Sequence, residues 1–206
     1  TGLTEGTTYY FNVIVKDKAR NESAYTMISV TIPLLIGSGT EEDPYKIRYI
    51  EDLAKIGTGD WGLDNHYILV NDLDFEDSNS YKSGIVNTGY TQGEGWQPIG
   101  NYSKPFLGSF NGNNKMISNL YINRGTENYI GLFGYIGSTD NNDVIIKFLV
   151  LDSVNIIGNS FVGGISGNNN RGTIENCYSR GTISCIDDYS GGIAGQSYYG
   201  LIKNSY

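Results

Sequence analysis

IENCYS (residues 174–179) and IKNSY (residues 202–206) read as one phrase written twice. Each runs isoleucine, a charged residue, asparagine, a small residue, tyrosine. Two looser copies precede them: ISNLYI opens at Ile117 and IKFLVL at Ile146. Ile117, Ile146, Ile174 and Ile202 therefore stand 29, 28 and 28 residues apart. A second register agrees. GLFG (Gly131 to Gly134), GISG (Gly164 to Gly167) and GIAG (Gly192 to Gly195) are spaced by 33 and then 28 residues. The polar insert STDNND at 138–143 accounts for the longer first interval. Additions confined to one corner are what a stacked repeat shows.

The segments alternate rather than following a 3.6-residue period. Ile117, Asn119 and Tyr121 face one way, and Ser118, Leu120 and Ile122 the other. The runs are short and end at Gly or Asn, which marks strands and not helices. A strand that stacks on its equivalent one repeat later makes a parallel sheet. The spacing thus predicts an all-β fold, a parallel β-helix or solenoid of about 28 residues per coil, each coil burying apolar side chains against the next. Handedness is not encoded in the spacing.

Three columns follow from that alignment. Asn119, Asn176 and Asn204 share the third position, interrupted by Phe148. They read either as an amide stack along the axis or as turn residues bonding their own backbone. Leu120, Leu149, Cys177 and Ser205 share the fourth position, which makes Cys177 a small buried hydrophobe. A disulfide from Cys177 to Cys185 requires the intervening chain to fold back. A catalytic thiol needs a base, and the single histidine, His66, is remote in sequence. Tyr121, Tyr178 and Tyr206 share the fifth position and are candidates for a sugar- or peptide-binding strip.

The 206 residues include 28 glycines, 22 asparagines and only 4 prolines, a composition suited to many tight turns. Seventeen tyrosines and seven phenylalanines supply a core. The net charge of −8 and the lack of a basic stripe argue against nucleic-acid and anionic-lipid partners. No apolar run approaches the roughly 20 residues of a membrane helix, so no membrane insertion is expected. Nor is a basic n-region followed by an apolar stretch visible.

Residues 1–33 differ from the rest. TTYYFNVIVKD (7–17) places Tyr9, Phe11, Val13 and Val15 on one face. ARNES (19–23) reads as a turn and YTMISVTI (25–32) as a second strand, together a hairpin from a sandwich. LTEGTTYYFNVIVKDKARNES resembles the C-terminal part of a fibronectin type III domain, and Tyr9 takes the place of that family's corner tyrosine. Residues 34–46 read as a linker and turn. IRYIEDLAKIG (47–57) has Ile50, Leu53, Ala54 and Ile56 at helical spacing before Gly57, predicting a short helix that caps the first coil. HYILVNDLDF (66–75) reads as one strand, and 76–95 as a long polar loop.

From GSGTEEDPY (37–45) onward, the phrases YILVNDLDF, WQPIG, FLGSFNGNNKMISNLYI and GLFG resemble the bacterial repeat proteins of the GLUG motif. The resemblance runs on through GISG and GIAG. It implies a right-handed parallel β-helix over 47–206. It also implies a secreted or cell-surface bacterial protein, like adhesin-like relatives and regions of IgA-specific metallopeptidases, and a piece of a longer parent with further modules. The expected role is a non-enzymatic stalk, display platform or adhesion region, with a glycan or protein as partner. A polysaccharide-degrading enzyme, or an accessory region of a secreted peptidase, is the alternative.

No catalytic set stands out. HExxH, GxGxxG before a helix and GxxxxGK[ST] do not occur. His66 reads as a residue opening a strand. Asp72, Asp74 and Glu76 alternate onto one strand face, where three carboxylates either stay solvated or hold calcium, the single cofactor with any sequence support. A glycosidase pair of Asp72 or Asp74 with Asp187 or Asp188 would need a separation of about 5–9 Å.

Overall fold

The structure, a computed structural model, describes residues 8–11, 14–19, 22–24, 28–31, 36–137 and 144–206. The chain divides into two compact units, Thr1–Ile36 and Gly37–Tyr206.

In the first unit Thr8–Phe11 pairs antiparallel with Ile28–Thr31, placing Tyr9 opposite Val30. Ile14–Lys16 pairs with Glu22–Ala24. Glu22 and Ser23, expected in the turn, therefore belong to a strand. Tyr9 is half-buried and Phe11 is exposed. Val13 lies outside the described residues, as does the 138–143 insert of the second unit.

The second unit is all-β and mostly parallel, with repeat-like strand spacing. Its first sheet aligns six strands: Tyr45–Ile47, His66–Leu69, Ser109–Asn111, Ile145–Lys147, Thr173–Glu175 and Leu201–Lys203. One residue of each strand continues a single file, buried in all but the last strand. Tyr45, Tyr67, Phe110, Ile146, Ile174 and Ile202 lie in one file, by successive register pairs. The second sheet joins Leu73–Asp74, Met116–Ser118, Val150–Gly158 and Tyr178–Cys185, with Tyr121–Arg124 beside the later half of Val150–Gly158. The third stacks Phe133–Ile136, Ser166–Asn170 and Ala194–Tyr198. From residue 144 the chain visits the sheets in the same order on each pass. Apolar faces of all three meet in one core, where Phe110, Phe133, Ile146, Leu151, Ile165 and Ile174 are fully buried.

Ile146, Ile174 and Ile202 share a file as their spacing required, but Ile117 does not join them. Phe110 sits below Ile146, and Ile117 lies in the second sheet between Leu73 and Leu151. The reason is local. Phe148, Asn176 and Asn204 turn one corner with φ of 53°, 52° and 51°, and Asn119 and Ser153 turn the next with 57° and 54°. Both corners demand an inward apolar residue two positions ahead of a left-handed residue, so both write a similar phrase. Leu120 likewise belongs to a different column from Leu149 and Cys177.

The repeat glycines keep their aligned register, because Phe133 pairs with Ser166 and Ser166 with Ala194. They are not corner glycines, however. Gly134, Gly167 and Gly195 lie inside strands without positive φ. A β-carbon on Gly167 would stand 2.3 Å from the Tyr129 carbonyl carbon, and one on Gly195 2.4 Å from that of Phe161. They are required by close backbone approach and not by turn geometry.

The predicted helix is one turn, Ile50–Leu53, with Ile50, Leu53 and Ile56 buried. HYILVNDLDF forms two strands, His66–Leu69 and Leu73–Asp74, in different sheets. The break falls at Asn71, whose amide donates to the Arg48 carbonyl at 3.0 Å.

Candidate functional site

Side chains on the outer face of the first sheet alternate with the buried file. They line a groove of about 600 Å³ that includes Glu41, Asp64, His66, Ser109, Asn111 and Lys147. His66 and Ser109 are direct register partners, which brings the imidazole Nδ1 within 2.8 Å of the hydroxyl. A hydroxyl beside an imidazole is the start of a nucleophile–base pair. Acyl transfer also needs free N–H donors beside the hydroxyl. Here the Gly108 amide donates to the Leu63 carbonyl at 3.0 Å and the Ser109 amide to the Asn65 carbonyl at 3.3 Å. Both donors are already spent on holding the neighbouring segment. What the groove offers is mixed charge, hydroxyls and amides along parallel strands, a surface suited to hydrogen-bonding an extended polar chain. His66 thus opens its strand as expected, and its companionship with Ser109 was invisible because 43 residues separate them.

A second feature was missed altogether. Tyr102, Tyr129, Phe161 and Tyr189 form a continuous ring stack. Centroids are 6.2, 4.9 and 5.0 Å apart, and the last pair is tilted by only 2°. Three of the four occupy left-handed corners, with φ of 63°, 57° and 69° at Tyr129, Phe161 and Tyr189. Such backbone costs a bulky residue about 1–2 kcal/mol, and ring stacking returns about 0.5–1.5 kcal/mol per pair. Tyr135 meets Tyr129 and Tyr102 edge-on at 5.4 and 5.6 Å. Burial, together with those two phenols, raises its hydroxyl above the ordinary tyrosine range. Because the rings stack on each other, the faces of the inner rings Tyr129 and Phe161 are covered, while the end rings Tyr102 and Tyr189 are exposed. The ladder holds successive passes together. Its signal in the sequence was an aromatic residue two or three positions ahead of each Gly-x-x-Gly.

Of the predicted tyrosine strip, Tyr178 and Tyr206 do meet, with centroids 5.0 Å apart in an edge-to-face arrangement. Tyr121 is elsewhere: it pairs with Asn155, and its hydroxyl donates to the Gly93 carbonyl at 3.3 Å. The three tyrosines are not one strip. Asn176 and Asn204 each turn a left-handed corner, and the Asn204 amide donates to the Asn176 carboxamide oxygen at 3.2 Å, as an amide stack requires. Asn119, in the other corner, donates to Asp74 at 2.8 Å.

The acidic face divides its duties. Asp72 accepts from the Met116 amide at 2.9 Å, and Asp74 accepts from the Glu76 amide at 2.9 Å as well as from Asn119. Among the described residues no three His, Cys, Asp or Glu side chains converge to hold a metal ion. Asp187 lies in contact with the Ser160 hydroxyl, and the Asp188 amide donates to the same hydroxyl. Cys177 and Cys185 are free thiols at opposite ends of the strand Tyr178–Cys185, Cys177 just before it and Cys185 its last residue. Burial pushes the Cys177 thiol up to about 11, so it is neutral and unreactive near neutrality.

Two curated proteins resemble this chain. Halomucin of Haloquadratum walsbyi is 37% identical over 163 residues, which is 79% of this chain and 2% of halomucin. A "Putative Gly-rich membrane protein" of Evansella cellulosilytica is 37% identical over 141 residues, 68% of this chain and 15% of that protein. The chain thus spans a small fraction of the length of either. No family model matches the chain. No solved structure matches it significantly. No described helix is long and apolar enough to cross a membrane.

Proposed function

We propose that residues 47–206 form a right-handed parallel β-helix of the GLUG type, preceded by a linker and by the C-terminal part of a fibronectin type III domain. This piece serves as a stiff, non-enzymatic stalk or display segment of a longer secreted or surface protein of a prokaryotic cell. The observation that carries the reading is the single file Ile146–Ile174–Ile202, continued in the other sheets by Val150–Tyr178, Val162–Ser190 and Ser166–Ala194, all at the same 28-residue step. A chain that stacks like on like along one axis gains length with each pass and resists bending, which suits a spacer. The two relatives support the reading, since one is named as a membrane protein and both are far longer than this chain.

The groove over the first sheet is the face on which adhesion to a glycan or protein strand would occur. The test is a glycan array combined with assays on peptide and polysaccharide substrates. Binding or inertness without turnover agrees with the proposal. Saccharide or peptide cleavage that disappears in His66→Ala or Ser109→Ala overturns it in favour of an enzyme. A crystal structure with left-handed coiling would overturn the fold assignment separately.

A further inference from the structure

Away from the groove lies a cavity of about 330 Å³ between the segment that follows the helix and the loop that carries WQPIG. That volume is within the range of small-molecule pockets. Its walls are mainly apolar, with Leu53, Ile56, Leu63, Pro98 and Ile99 among them. Trp96 is part of the wall and is 2% exposed. Its ring is clamped edge-on by Phe75 at 5.5 Å and by Tyr90 at 5.2 Å. Its backbone is fixed too: the amide donates to the Tyr121 carbonyl at 2.8 Å, and the carbonyl accepts from Arg124 Nε at 3.2 Å.

The indole Nε1–H of this immobilised ring is buried and has no acceptor among the described residues. A buried donor without a partner costs about 1–3 kcal/mol, so an acceptor arriving through the cavity would recover that cost. Two of the other polar groups there are committed. Thr58 donates to the Lys55 carbonyl at 2.6 Å, and the Asn101 side-chain oxygen accepts from the Ser103 and Lys104 amides. The exposed Lys104 ammonium, also part of the lining, has no ion pair among the described residues. An apolar chamber, one orphan buried donor and one uncommitted cation together describe a ligand.

We propose that this cavity binds a small carboxylate with a compact apolar body, of the aryl- or alkyl-acetate class. The apolar body fills the chamber, and the carboxylate accepts from Trp96 Nε1–H and faces Lys104. A protein with net charge −8 does not gather anions non-specifically, so carboxylate binding reports a built site. This inference stands apart from the stalk proposal, and either can fail alone.

The experiment is an NMR titration of the whole chain with phenylacetate, following the two tryptophan indole resonances, with phenylacetamide as the uncharged control. The expected result is a saturable shift of the Trp96 resonance, with Trp61 unmoved. Phenylacetamide should bind roughly threefold more weakly, the scale of one exposed charge contact. Trp96→Phe should weaken phenylacetate about tenfold, as loss of a hydrogen bond to a charged group does. Ala54→Trp, which fills the chamber, should abolish binding. A Trp96 resonance that does not move at millimolar phenylacetate overturns the proposal. So does binding that survives Ala54→Trp in a variant whose spectrum shows it folded.

Discussion

The second unit contains two ways of filling a stacked core. From residue 144 onward the steps are 28 residues, shortened to 27 only over Val154–Gly158 by an irregularity after Leu151, and the inward file is aliphatic, Ile146 under Ile174 under Ile202. Before that, the steps in the same sheet are 22, 43 and 36 residues, and the file is aromatic: Tyr45, Tyr67, Phe110. Rings cluster around it. Trp61 stacks on Tyr45 at 4.6 Å, Phe106 lies 5.0 Å from Phe133, and Phe110 lies 5.5 Å from Phe133. Equal passes present equal gaps, which small β-branched side chains fill repeatedly. Unequal passes leave gaps of differing size, and large rings close them.

That contrast can be broken by truncation. Phe110→Ala should cost about 3–5 kcal/mol in urea unfolding, since no small neighbour can collapse into the space. Ile174→Ala should cost about 2–4 kcal/mol. Ile202→Ala, at the same file position but 37% exposed, should cost under about 1.5 kcal/mol. Equal losses at Ile174 and Ile202 would show that file position does not govern the energetics.

Alkali sharpens the picture within the regular part. The folded Cys177 thiol titrates near 11 against an ordinary 9.0. The folded form therefore holds its proton more tightly than the unfolded chain. Its stabilising effect is complete below about pH 9 and is lost as pH rises toward 11, by roughly 3 kcal/mol in total. Cys177→Ala should remove that part of the alkaline slope. Native Cys177 should also resist thiol reagents at pH 8 where the half-buried Cys185 reacts. A similar slope in Cys177→Ala would assign the effect to the tyrosines.

Smaller effects test the corners. Phe148→Asn replaces a bulky residue at φ 53° with one that tolerates it, and should raise stability by about 0.5 kcal/mol. The Asp152–Arg180 pair closes the same 28-residue step on the outer surface at 2.6 Å. The Arg180 hydrogen bond holds the Asp152 carboxyl below the usual range. Its contribution is thus present at neutral pH and fades only as acid protonates the carboxylate below its ordinary value. Arg180→Gln should leave the melting midpoint nearly unchanged. Calcium should not move the midpoint either, since Asp72 and Asp74 already accept amide hydrogens. A calcium-dependent rise would restore Asp72, Asp74 and Glu76 as ligands.

What was legible in the sequence follows the same division. The 28-residue step, the parallel strands and the register of the Gly-x-x-Gly phrases were readable because equal passes repeat equal chemistry. Ile117 was misassigned because neighbouring corners impose similar demands, so a local phrase identifies a kind of corner and not which one. The early intervals offered no period, and the partners Tyr67, Phe110 and Ile146 emerge only from pairing. The Trp96 cavity was hidden for a related reason. It assembles residues from loops of unequal length, where separation in the chain says little about separation in space.

The uniform step has a hereditary meaning. Any in-frame duplication of 28 codons within residues 144–206 would insert a pass whose inward residues, corners and close-approach glycines already fit those below and above. Molecular length is therefore a quantity that recombination can change without inventing a new interface, and lineages carrying such a segment are free to differ in reach while keeping one architecture.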